Sequence, residues 1–100
     1  MKVRNMTSNR TGRAIPNQFI ITEHGRGSLG NFLRRETFQS YDSIIAIVTT
    51  WPCEETVVLD IDKWDCSKTT GKYRNQFLGE TKKETEKKIK SGEYKLVNLN

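Results

Sequence analysis

Four short runs rich in aromatic and β-branched residues alternate with polar and turn-forming segments in the first 61 positions. They cover residues 17–22, 37–41, 43–50 and 56–61, and runs of this length bounded by turn residues predict β-strands. The third contains Ile44-Ile45-Ala46-Ile47-Val48, a near-continuous apolar stretch typical of a buried central strand. Pro52 follows and ends it, because proline cannot donate a ladder hydrogen bond. Residues 94–97 are a further candidate, as a last edge strand.

The pattern changes to a helical period after residue 66. Ser67 is a candidate N-cap, and Thr70, Tyr73 and Phe77 follow at a spacing that places them on one stripe of a helix. Gly79 then provides a residue that adopts the left-handed conformation common just after a helix. The spacing therefore predicts a first helix from about residue 68 to residue 78.

A second helix is predicted directly afterwards. Thr81 and Glu84 form a capping box, in which each side chain bonds a free backbone N–H of the other residue, and Gly92 ends the helix. Ile89 is its only strongly apolar residue, so most of its surface faces water. Together the patterns predict an α+β fold: a small antiparallel sheet of three or four strands, packed by two C-terminal helices.

The 100 residues are enough for one domain. Residues 1–13 are polar and rich in Asn, Thr, Ser and Arg, which predicts a flexible N-terminal arm. Residues 14–100 are then expected to form a single α+β domain.

Charge follows a basic, acidic, basic order along the chain, within a net charge of +5. Residues 1–40 hold seven Lys or Arg and two acids, residues 41–62 hold five acids and no Lys or Arg, and residues 63–100 hold ten cations and five acids. Clustered cations favour an anionic partner. The predicted binding residues are Arg26, Arg34, Arg35, Lys68, Lys72, Arg74, Lys83, Lys87 and Lys90. The alternative is that these cations neutralise the acids of residues 41–62 within the fold.

The sequence contains few residues suited to catalysis or metal binding. His24 is the only histidine. The two cysteines, Cys53 and Cys66, are interpreted as reduced thiols of a cytoplasmic protein, with a disulfide between them as the alternative. The residues 25–30 spell G-x-G-x-x-G, but no crossover helix can follow before the next strand, so a hairpin loop is favoured over a phosphate loop. Three aspartates near Trp64, at positions 60, 62 and 65, are a minor candidate for a metal-dependent enzyme. The prediction is a protein that is not an enzyme and has no cofactor or metal.

Three segments resemble a group of small phage and prophage proteins of unassigned function. They are residues 38–46, residues 64–70 with Trp64-Asp65-Cys66-Ser67, and residues 72–79. The resemblance covers roughly residues 16–100. Cys66 stands where the group usually has Tyr, and the segment 26–36 is longer. The resemblance implies a phage origin and brings no catalytic residues.

The expected function is therefore that of a non-enzymatic, phage-type accessory protein that binds a host or defence component stoichiometrically in the host cytoplasm. A counter-defence inhibitor of a nucleoprotein fits this description. The alternative is a regulatory protein that binds nucleic acid directly. No membrane role is expected, since no apolar stretch approaches the about 20 residues that span a bilayer.

Overall fold

The computed structural model of the chain describes residues 1–25 and 31–100. The elements are, in chain order, β1 (Lys2–Thr7), β2 (Ala14–His24), β3 (Arg34–Ser40), β4 (Ser43–Thr50), β5 (Glu55–Asp60), α1 (Lys68–Leu78), α2 (Lys82–Ser91) and β6 (Tyr94–Val97). All six strands form one sheet, in the order β1-β2-β3-β4-β5-β6. Neighbours are antiparallel except β5 and β6, which are parallel.

The predicted sheet of three or four antiparallel strands is therefore wrong, although the α+β class holds. The sheet has six strands and is mixed. The parallel pair arises because α1 and α2 lie between β5 and β6 in the chain, and a long crossover of this kind brings a strand back in the same direction.

The N-terminal segment supplies one of the additional strands. Residues 2–7, expected within a flexible arm, pair with β2 from Lys2 opposite Thr22 to Thr7 opposite Ala14. Met6 is 4% exposed and anchors this strand in the core. A mostly polar segment whose two apolar residues, Val3 and Met6, are three positions apart gives no strand period, so the backbone pairing with β2 could not be predicted from pattern alone.

The core lies between one face of the sheet and the two helices. One buried cluster contains Met6, Ile20, Phe38 and Ile45, and a second contains Ala46, Val57, Leu59 and Tyr94. Phe77 of α1 packs against both clusters, so it joins the two halves of the core. On the opposite face, Ile21, Thr37, Ile47 and Val58 are cross-strand neighbours, and none of the helices that the structure describes covers them.

Both helices begin and end where the sequence predicts. The Ser67 side chain accepts a hydrogen bond from the Thr70 backbone N–H, and the capping box of Thr81 and Glu84 is complete. Gly79 and Gly92 follow the helices with φ of 68° and 85°, a conformation that is inexpensive only for glycine. The Gln76 side chain donates to Thr7 O, which places the outer side of α1 beside the β1–β2 turn.

Candidate polyanion interface

The predicted basic residues have different surroundings in the structure. Arg26 lies outside the described residues. Arg34 is exposed at the start of β3, and its Nη2 lies 3.7 Å from Glu36 Oε1. The Arg35 guanidinium stacks 4.3 Å from the centre of the Phe32 ring, and its Nε donates to Thr49 Oγ1 at 3.4 Å. Both arginine side chains therefore already have contacts within the fold.

Arg74 is buried, with 1% exposure. Its Nη1 donates to Trp64 O at 2.6 Å and to Asp65 Oδ1 at 3.1 Å, and its Nη2 donates to Asn75 Oδ1 at 3.0 Å. This arginine ties α1 to the segment that precedes it. Arg74 as a binding residue stays a prediction: its guanidinium is occupied by these internal bonds, although the residue also lines the concavity at the N-terminal half of α1.

The remaining predicted lysines are exposed. Lys68 and Lys72 are on α1, and Lys83, Lys87 and Lys90 share one side of α2 at helical spacing. Within the part of the chain that the structure describes, the side chains of Lys68, Lys83, Lys87 and Lys90 have no ion pair or hydrogen bond. Lys82 and Lys88 differ, since each lies within 3 Å of a carboxylate, that of Asp65 at 2.7 Å and that of Glu80 at 2.9 Å.

The ion pairs test the alternative in which the cations neutralise the central acids. Among residues 1–25 and 31–100, the ion-paired carboxylates are those of Glu36, Asp65, Glu80, Glu86 and Glu93. None of them belongs to residues 41–62. Among the described residues, the carboxylates of residues 41–62 therefore form no ion pair with the exposed lysines.

Two open concavities lie side by side along the outer side of α1. The first, of about 590 Å³, is between the β1–β2 turn and the helix, and the second, of about 440 Å³, is at the N-terminal half of the helix. Lys72 and Asn75 line both, so the two are continuous. We call this surface the α1 groove. Its residues are Ser8, Asn9, Arg10, Asp65, Ser67, Lys68, Gly71, Lys72, Tyr73, Arg74, Asn75, Gln76 and Lys82.

Arg10 was missed by sequence reasoning, which assigned it to the flexible arm. Its turn is held by Ser8, whose Oγ accepts from the Arg10 and Thr11 backbone N–H groups at 3.2 and 3.3 Å. Gly12 closes the turn with φ of 72°, and its N–H bonds Ser8 O at 2.9 Å. The sequence signal that could have located the turn is Ser8 followed by Gly12, a pair of turn-forming residues.

The groove combines positive charge with hydrogen-bonding amides and an aromatic ring. Lys72 Nζ lies 5.3 Å from the centre of the Tyr73 ring. Gln76 Nε2 donates to Thr7 O at 2.8 Å, which joins the helix to the end of β1. The positive end of the helix dipole at Ser67 adds to the potential of the lysines. Such a surface can bind carboxylates or phosphates through several charge-assisted contacts.

Two of the three aspartates near Trp64, Asp60 and Asp65, have structural roles. The Asp60 carboxylate accepts from the backbone N–H groups of Asp62, Lys63 and Leu99 at 2.7 to 3.1 Å, so it holds the turn after β5 and the C-terminal residues. Asp65 is paired with Arg74 and Lys82. Within the described residues, no group of three His, Cys, Asp or Glu could hold a metal ion. Cys53 and Cys66 are both free and exposed.

Three carboxyl groups are held below their ordinary pKa. Burial raises the pKa of Asp60, Asp65 and Glu80, but hydrogen bonds to each carboxylate outweigh it and the net pKa is lowered. For Glu80 the donors are Thr85, Tyr94 and Lys88. Burial, followed by the neighbouring Glu80 carboxylate, raises the pKa of Tyr94 to about 12. The three carboxyl groups therefore remain ionised across the physiological pH range, and the Tyr94 hydroxyl remains neutral.

The lowered carboxyl pKa values predict acid-sensitive stability. Their contribution is complete above the unfolded values of about 3.9 to 4.3 and is lost as the pH falls through the folded values. We expect urea midpoints to change little between about pH 5 and pH 8 and to fall steadily below about pH 4. Glu80→Gln, which removes one titrating group, should make this fall shallower. A urea midpoint that rises on acidification would contradict the assignment.

Comparison with known families gives one match. A family model described as "Family of unknown function (DUF8033)" matches residues 1–93. The chain belongs to this family. No curated protein and no solved structure gives a significant match. The DUF8033 match spans the β1–β2 turn and both helices, so the whole α1 groove lies within the family's matched region. No helix in the described part of this DUF8033 chain is long and apolar enough to cross a membrane.

Proposed function

We propose that this protein is a non-enzymatic, phage-type accessory protein that acts by stoichiometric binding to a host or defence component in the host cytoplasm. The α1 groove is the binding surface, and the partner presents an anionic face. A counter-defence inhibitor of a nucleoprotein is a specific form of this proposal. The phage origin rests on the sequence resemblance of residues 38–46, 64–70 and 72–79.

One observation carries the proposal: among the described residues, the groove contains exposed lysines without an ion pair, beside the cations of Arg74 and Lys82 that stabilise the fold. Arg74, Lys82 and Lys88 are held by carboxylates at 2.7 to 3.1 Å. Lys68 and Lys72 instead face an open surface lined by amide side chains. Because neither lysine has an ion pair among the described residues, binding an external anion breaks no salt bridge of the fold, so their charge is available for association.

The test is recovery of a partner from host lysate that has been treated with nuclease. We expect the native protein to retain one protein partner, and Lys68→Glu combined with Lys72→Glu to lose it, by at least about tenfold in bound amount. Lys83→Glu combined with Lys87→Glu is the matched control, because it makes the same charge change at the same helical spacing on α2. Binding should survive in this control.

Three results would count against the proposal. If the native protein retains no partner, stoichiometric protein binding is not supported. If both double variants lose the partner equally, overall charge and not the α1 groove governs binding. Partner loss confined to the α2 variant would move the interface to Lys83, Lys87 and Lys90.

Direct nucleic-acid binding is the second candidate, favoured by the composition of the groove. Arg10, Lys72, Tyr73, Asn75 and Gln76 line one concavity, and proteins that bind nucleic acid combine cations, amides and aromatic rings in this way. Here affinity for single- or double-stranded DNA or RNA should fall steeply with salt, with a slope of about 0.7 to 0.9 per neutralised phosphate. Absence of binding at low salt would remove this candidate.

A further inference from the structure

The strand β1 forms one edge of the six-stranded sheet. One side of its backbone pairs with β2, and it is the terminal strand in the sheet order. Its other side therefore presents backbone N–H and C=O groups without a neighbouring strand among the described residues. Such an edge is a template for pairing with another chain.

The side chains of β1 alternate in character between the two faces of the sheet. Arg4 lies opposite Ile20, a core residue on the helix side, and Lys2 lies two positions away on the same face. Val3 is on the opposite, uncovered face and is 60% exposed, opposite Ile21. The edge thus has two cations on one side and an apolar side chain on the other.

The charges around this edge are not balanced within the fold. Arg4 is 60% exposed and lies 4.0 Å from Glu36, and Arg34 lies 3.7 Å from the same carboxylate. One acid therefore faces two arginines, and the side chain of Lys2 has no ion pair within the described residues. An acid added near Lys2 and Arg4 would meet net positive charge.

We infer that the free edge of β1 is a docking site for an extended acidic segment of a partner protein, which adds a seventh strand to the sheet. Residues two apart on a strand point the same way and lie about 6.5 to 7 Å apart. A segment with acidic residues at alternate positions would place carboxylates beside Lys2 and Arg4. Its intervening apolar residues would extend the apolar surface of Val3 and Ile21. Backbone pairing supplies affinity, and the alternating side chains supply specificity.

A second copy of this chain is the less suitable occupant. Antiparallel pairing of two β1 strands would bring Lys2 and Arg4 of one copy close to the same cations of the other, and like charges directly opposite destabilise a sheet. The other edge, β6, has only four residues and one cation, Lys95. The acidic strand is therefore assigned to β1. The free edge of β1 is a surface separate from the α1 groove.

The experiment uses three short blocked peptides: one that alternates Glu and Val, one that alternates Lys and Val, and a Glu/Val peptide with alternate backbone amides N-methylated. Each is titrated into the isotopically labelled full chain and followed by amide chemical shifts. The Glu/Val peptide should shift residues 2–7 and slow hydrogen exchange there. The other two peptides should bind at least about tenfold more weakly. The Lys/Val peptide lacks the negative charge, and the N-methylated peptide lacks the amide protons that form the backbone hydrogen bonds between strands.

Variants then separate this site from the α1 groove. Lys2→Glu combined with Arg4→Glu should weaken binding of the Glu/Val peptide by about tenfold and favour the Lys/Val peptide. Lys68→Glu combined with Lys72→Glu should leave both affinities unchanged. Three results would overturn the inference. The N-methylated peptide could bind as tightly as the Glu/Val peptide, or the chemical shift changes could be confined to α1. The free chain could also prove to be a dimer in sedimentation. Because the N-methylated peptide leaves the protein intact, the test does not depend on any variant folding.

Discussion

Replacing Phe38 by alanine is expected to lower the free energy of unfolding by about 3 to 5 kcal/mol. Phe38 has 0% exposure and belongs to the cluster with Met6, Ile20 and Ile45. Its ring centre lies 5.7 Å from that of Phe77, so it also supports α1. The neighbouring strands are fixed by backbone pairing and cannot collapse into the space, which leaves a cavity.

Such a loss is large for this protein, because small domains are stable by only about 5 to 15 kcal/mol. Urea unfolding followed by circular dichroism measures the effect. Phe38→Leu, which keeps most of the volume, should cost only about 1 to 1.5 kcal/mol. Leu33→Ala serves as the exposed control, since Leu33 is 42% exposed. If Phe38→Ala unfolds at the same urea concentration as Leu33→Ala, the described core is incorrect.

Replacing Glu80 by alanine is expected to cost about 2 to 4 kcal/mol. The Glu80 side chain is 4% exposed, and it accepts from Thr85 Oγ1 at 2.6 Å, Tyr94 OH at 2.7 Å and Lys88 Nζ at 2.9 Å. The carboxylate therefore connects the segment between the helices to α2 and to β6. Alanine would leave the buried Tyr94 hydroxyl and the Lys88 ammonium without this acceptor.

Glu93→Ala is the matched control for this prediction. Glu93 also lies near Lys88, at 3.9 Å, but its side chain is 63% exposed, and an exposed pair contributes at most about 1 kcal/mol. Urea midpoints of the two variants should therefore differ clearly. Equal midpoints would mean that the buried network around Glu80 does not stabilise the fold.

Most of the individual elements could be predicted from the sequence. The strand β4 was predicted with its exact bounds, because a continuous apolar run has few alternative interpretations. Both helices were predicted because their caps use side chains whose bonding is local, at Ser67 and at Thr81 with Glu84. Local chemistry of this kind does not depend on the tertiary fold.

The strand count and part of the binding surface could not be predicted. The polar composition of β1 gives no sign of its pairing with β2. Residues 94–97 were a candidate edge strand, but the sequence did not show that β6 pairs in parallel with β5. Arg74 was expected at the surface, as arginine usually is. Its burial depends on Trp64 O and Asp65, ten and nine positions away. Arg10 entered the candidate groove only through the fold of its turn.

The order of the strands has a consequence for how this chain acquires its structure. Each of the first five strands lies beside its sequence neighbour, so their pairing closes only short loops and can advance stepwise as a chain of hairpins. β6 differs, because its partner β5 precedes both helices and their connection. We therefore expect its pairing to follow the assembly of the helical pair, so that β6 is the final segment to dock.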